Sequence, residues 1–159
     1  MGISINLYRV SKSERIEDIT NLEEAIESSK ENKVDLYKIT QDLAVIFSNS
    51  IDPFEDTDAI PYKILYGNFT TASAGWRVIG GFMPASEVNT IIDWIKANGI
   101  DSWEGFSKLY DALSPEVKQE LEDIGAADKD EFYRGYVKPL TGFYFAAQKE
   151  NNSILFVGE

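Results

Sequence analysis

The sequence predicts an α+β fold: a small mixed or antiparallel sheet covered by several helices. Three observations predict it. Segments rich in β-type residues stand at both ends of the chain and near its middle. The segments between them carry apolar residues at helical spacing. No Gly/Ser-rich or Pro-rich linker divides the 159 residues, and their 43% hydrophobic content is ample for one core, so residues 1–159 read as a single domain.

At the start, Ile3, Ile5 and Leu7 alternate with Ser4, Asn6 and Tyr8 before Val10, a period of two that predicts a strand with one buried face. From Ser13 to Asn32 the chain is charged, with Ile16, Ile19, Leu22 and Ile26 at helical intervals, which predicts one or two amphipathic surface helices. Val34 to Ser48 reads as a deeply buried helix capped by Asp35, its stripe formed by Leu36, Ile39, Leu43, Ile46 and Phe47. A short helical or extended piece ends at Gly67-Asn68. Trp76 to Phe82 is a second strand, with Gly80-Gly81 as its terminus.

From Pro84 onward, Val88, Ile91, Ile92 and Ile95 form one stripe, and Asn98-Gly99 supplies a left-handed stop. Asp101 or Ser102 caps the next helix, and Ser114-Pro115 starts another that Gly125 ends. A last helix begins near Asp128, and Pro139 should kink or divide it, because the ring removes a backbone hydrogen bond. The continuous apolar run in Ser153 to Glu159 predicts a strand inside the sheet.

Composition narrows the chemistry. With 27 Asp+Glu against 15 Lys+Arg, the net charge is −12, which repels phosphate backbones and anionic membrane surfaces and favours a basic protein as partner. The absence of Cys and His excludes disulfides, thiolate nucleophiles, Cys/His zinc sites and His-based triads. No run approaches the ~20 apolar residues of a membrane span, and no secretory leader is evident, so a cytoplasmic protein is expected.

"MGISINLYRVS", "VDLYKITQDLAVIFSNS", "PYKILYGN", "GWRVIGGFMPASEVNTIIDWI" and "LTGFYFAAQKENNSILFVGE" resemble, in order and spacing, the bacterial YfbM-like domain of unknown function. The resemblance spans nearly the whole chain. It departs at Ile39 to Ala44, where the family pattern has a Trp and a His. It implies a cytoplasmic bacterial α+β domain and carries no activity to transfer.

The densest charge is in "DPFEDTDAIPYK", where Asp52, Glu55, Asp56 and Asp58 fall within seven residues. An EF-hand counted from Asp52 fails at Phe54, Thr57 and Lys63, where it needs an oxygen ligand, a Gly and a bidentate Glu. Asp42 and Asp93, set in apolar sequence, are the acids best placed for carboxylate catalysis, but each is explained as a polar-face residue. The glycines of "GNFTTASAG" match no phosphate loop. The aromatics Trp76, Trp94, Trp103, Tyr133 and Tyr136 read as core. Tyr144 is the exception: its neighbours Phe143 and Phe145 compete for the interior, so it is expected at the surface as a binding aromatic.

The function expected is a non-catalytic acidic binding module, an immunity- or inhibitor-type protein masking a basic partner. Its contacts would be Asp52, Glu55, Asp56, Asp58, Glu122, Asp123 and Tyr144. No catalytic residue, metal or cofactor is expected, nor any nucleic-acid or membrane partner, and the protein should be a monomer or weak dimer. The alternative is a small enzyme or ligand-binding domain with carboxylate/Tyr chemistry in a pocket, which a cavity lined by two or more acids plus Arg77 would favour.

Overall fold

The computed structural model describes residues 4–159. Among these, six strands make one antiparallel sheet: β1 Ile5–Val10, β2 Lys33–Tyr37, β3 Asn68–Phe69, β4 Ser73–Ala74, β5 Arg77–Met83 and β6 Ser153–Gly158. The order is β2-β1-β6-β5-β3, with β4 also on β5. The helices are α1 Leu22–Ser28, α2 Thr40–Ser48, α3 Ile60–Tyr66, α4 Ala85–Asn98, α5 Trp103–Asp111, α6 Pro115–Asp123, α7 Lys129–Phe132 and α8 Lys138–Glu150. The α+β class and the inside position of the last strand follow the sequence reading.

Both faces of the sheet are covered. Leu7, Met83, Ile154 and Phe156 face the larger core, built with α2 to α6 and α8; Tyr8, Val10, Ile79, Phe82, Leu155 and Val157 face a smaller one closed by Ile26 of α1. This explains the unbroken apolar run of β6. It also corrects the expectation for β1: Leu7 and Val10 enter different cores, so the strand has two buried faces rather than one. Ile3 lies outside the described residues.

Several boundaries are set by the caps the sequence offers. The side chains of Ser102, Ser114 and Asp128 accept hydrogen bonds from the N–H groups of Gly105, Val117 and Glu131, closing the N-termini of α5, α6 and α7. Gly99 ends α4 with φ +68°, a conformation that favours glycine. Pro139 sits in the first turn of α8, and the preceding π-helical segment Tyr133–Val137 absorbs the hydrogen bond that its ring cannot make.

Three expectations are overturned. Residues 33–37 form a strand, not the opening of a helix: Val34 and Leu36 bury as alternate residues of β2 against β1, and α2 starts only at Thr40. Gly80-Gly81 does not end β5, which runs on to Met83; the register with β6 slips between Ile79 and Gly81, so the pair makes a bulge. Two aromatics expected in the core are exposed: Trp76, 74% exposed in the two-residue turn between Ala74 and Arg77, where Gly75 takes the positive φ of a II′ hairpin, and Trp103, 40% exposed at the start of α5 against the Tyr133 ring.

Candidate functional site

The acidic segment leaves α2 through Asn49, which adopts the left-handed conformation and accepts a hydrogen bond from the Ser114 amide at the start of α6. Local bonds then shape the loop. The Asp52 amide donates to Ser50 Oγ at 3.1 Å, the Asp58 amide donates to Asp56 Oδ1 at 3.0 Å, and Pro53 is buried beneath them. Asp52, Glu55, Asp56 and Asp58 are all exposed, and among the described residues none is in an ion pair. Nor does any group of three or more Asp or Glu among those residues converge to hold a metal ion.

Beside the carboxylates stands an aromatic platform. Phe54, 45% exposed, lies 5.6 Å from the Tyr66 ring and 6.1 Å edge-on to Tyr62, and Tyr62 stacks on Tyr66 at 4.8 Å. Both tyrosines project from α3, one turn apart. Burial pushes both phenols above their ordinary pKa, and the negative charges of Tyr62 and Asp42 add to the effect at Tyr66. The platform therefore joins the acidic loop to α3.

Asp42 lines a shallow, open depression of about 480 Å³ with Ser4, Tyr37, Lys38, Ile39 and Tyr136. Burial raises its pKa, and its side chain has no hydrogen bond or ion pair among the described residues. Asp93 is exposed on α4 and joins no such depression. Arg77 lies elsewhere: its Nε is 2.9 Å from Glu159 Oε1, and its guanidinium sits 5.2 Å from the Trp76 ring. Glu159 also receives the Asn6 amide and, at 3.0 Å, the Tyr8 hydroxyl, so it binds the ends of β1, β5 and β6 together. Burial first, and the bond to Glu159 second, hold Tyr8 up at a pKa of about 12.

The remaining expected contacts separate. Glu122 and Asp123 are exposed near the C-terminal end of α6, Asp123 accepting from Gln119 Nε2 at 2.8 Å. They lie a helix length, about 12 Å, from the end that touches Asn49, so they form a second patch. Other acids of this region have structural roles, Asp128 as a cap and Asp130 paired with Arg134 at 3.1 Å.

Tyr144 is no surface contact. It is 0% exposed, and its hydroxyl donates to the Ile64 carbonyl at 2.6 Å. The helix α8 lies against both the sheet and α4, so its buried arc is wide enough to take Phe143 and Tyr144 together, leaving Phe145 half-buried. Sequence reasoning missed Tyr37 and Tyr136 as lining residues of the depression. Reading 34–48 as one helix hid the strand-to-helix corner at Tyr37, although the Val34/Leu36 alternation marks it.

No family model and no curated protein matches the chain. A solved structure does: the crystal structure of YfbM from Escherichia coli, a protein of unknown function, is 14% identical with a TM-score of 0.62, and the match covers 98% of this chain and 99% of that one. The expected resemblance thus holds at the level of architecture, and the chain has a YfbM-like fold.

Proposed function

We propose that the chain is a non-catalytic acidic binding module of the cytoplasm. It engages a basic partner protein through Asp52, Glu55, Asp56 and Asp58, with Glu122 and Asp123 as a second acidic patch, in the manner of an immunity or inhibitor protein. The observation that carries this reading is the loop itself: four exposed carboxylates, with no ion pair among the described residues to neutralise them, beside the half-exposed ring of Phe54. Such a surface draws a basic protein by long-range attraction and offers it an aromatic contact. The net charge of −12 adds to the field and opposes tight self-association, consistent with a monomer or weak dimer. The enzyme alternative lacks its full expected signature: the depression at Asp42 has one acid in its lining, and the small depression that Asp52, Glu55 and Asp56 share with Tyr62 is without Arg77, which is bound to Glu159.

Affinity capture from a lysate of the source organism at low salt, with the wild type and a variant carrying Asp52→Asn, Glu55→Gln, Asp56→Asn and Asp58→Asn as baits, tests the reading. A basic protein held by the wild type, released by salt and not held by the variant is the expected result. Equal capture by both baits contradicts it.

A further inference from the structure

Three features meet at the depression beside Asp42. The first is backbone strain. Tyr37 holds φ at +51°; the two other non-glycine residues with positive φ among those described are Asn49 and Asn151, both ordinary asparagine ends of helices. For a bulky residue this conformation is strained. The position is enforced by pairing with Ile5 and by the Thr40 hydroxyl, which donates to the Tyr37 carbonyl at 3.2 Å. The turn coincides with the register slip of β1 against β2 between Ile5 and Asn6, and it leaves the Tyr37 ring 57% exposed.

The second is Tyr136, which the π-helical segment before Pro139 carries into the same lining. The third is Asp42, a partly buried carboxylate without a hydrogen-bond or ion-pair partner among the described residues. The electron-rich faces of two tyrosines and one carboxylate suit a cation. Lys38, also in the lining, is exposed and forms no ion pair with Asp42, so its ammonium is free to turn outward. The N-terminus of α2, uncapped by Ile39, would favour an anion, but Asp42 already supplies negative charge to that turn.

We propose that the depression lined by Tyr37, Asp42 and Tyr136 receives one cationic side chain, lysine or arginine, of the partner protein. The occupant's identity rests on the reading of the chain as a binder of a basic partner. The loop then accelerates encounter and the socket fixes register.

Titration of the full chain with N-acetyl-arginine methylamide and N-acetyl-lysine methylamide, followed through backbone amide shifts in NMR, tests the proposal without any partner. N-acetyl-glutamate methylamide and inorganic phosphate are the comparison probes. Saturable shifts at Tyr37, Asp42 and Tyr136 with a cationic probe are expected, about tenfold weaker in Asp42→Asn, weakened several-fold in Tyr136→Leu, and unchanged in the four-residue loop variant. Absence of saturable shifts, preference for glutamate or phosphate, or equal binding by Asp42→Asn overturns it. A failed titration leaves the capture result standing, and a failed capture leaves the titration standing, so the two readings fail separately.

Discussion

Replacing Gly81 by Ala tests how the sheet holds the aromatic platform. The end of α3 crosses β5 at this glycine: a Cβ added there would fall inside the van der Waals envelope of the Tyr66 carbonyl oxygen and 2.9 Å from the carbonyl carbon. Carbon atoms ordinarily stop at about 3.5–4.0 Å. Both obstacles are backbone, so relief requires α3 or β5 to move. Overpacking with backbone displacement costs about 1–3 kcal/mol, against a gain of about 0.4–1 kcal/mol from restricting the unfolded chain, for a net loss of about 1.3 kcal/mol. For a chain of this length that is about 3–5 °C in Tm. The neighbouring Gly80 is the control, because a Cβ there meets only the Phe156 carbonyl oxygen at 3.9 Å. Urea unfolding of Gly81→Ala and Gly80→Ala, followed by tryptophan fluorescence, should show a marked loss in the first and none in the second. Equal midpoints for the two variants would refute the crossing of α3 over Gly81.

Tyr144→Phe removes the buried hydroxyl and orphans the Ile64 carbonyl, a loss of about 1–2 kcal/mol in the same assay. Burial raises the folded pKa of Tyr144 well above 10.0, so its contribution is full below pH 10 and declines as the pH rises further; the variant's stability should therefore fall less steeply above pH 10 than the wild type's. Asp42 has the same sign at the other end of the scale. Its folded pKa is raised above 3.8, so its contribution is present in acid and lost as the pH rises through the folded value. Asp42→Asn should therefore be neutral or slightly stabilising at pH 7, by no more than about 0.5 kcal/mol, and a clear destabilisation in thermal melts would show that the carboxylate has a structural partner.

The amphipathic elements were the legible part of the fold. In α4 the apolar residues 88, 91, 92 and 95 and the Gly99 stop all point to one answer, and the caps at Ser102, Ser114 and Asp128 are local bonds written in adjacent residues. Features that depend on what lies across the sheet were not legible. Val34 and Leu36 fit a helical stripe as readily as an edge strand until β1 is placed beside them. Gly80-Gly81 reads as a break unless Tyr66 is known to cross it. Tyr144 reads as surplus until the width of the buried arc of α8 is seen, and Trp76 reads as core until its turn is recognised. For the candidate site, the loop carboxylates were legible because exposure is their default state, whereas the socket joins residues 37, 42 and 136, whose proximity only the tertiary structure supplies.

The central claim, that the loop 52–58 steers a basic partner, is tested most directly by the association rate constant with the captured protein as a function of ionic strength. Stopped-flow traces for the wild type and the four-residue loop variant between about 0.02 and 0.3 M salt span the range over which exposed charges become screened. The account predicts that the variant associates about tenfold more slowly at the lowest salt, and that the two curves converge as salt rises. Curves that superimpose at every ionic strength would contradict it.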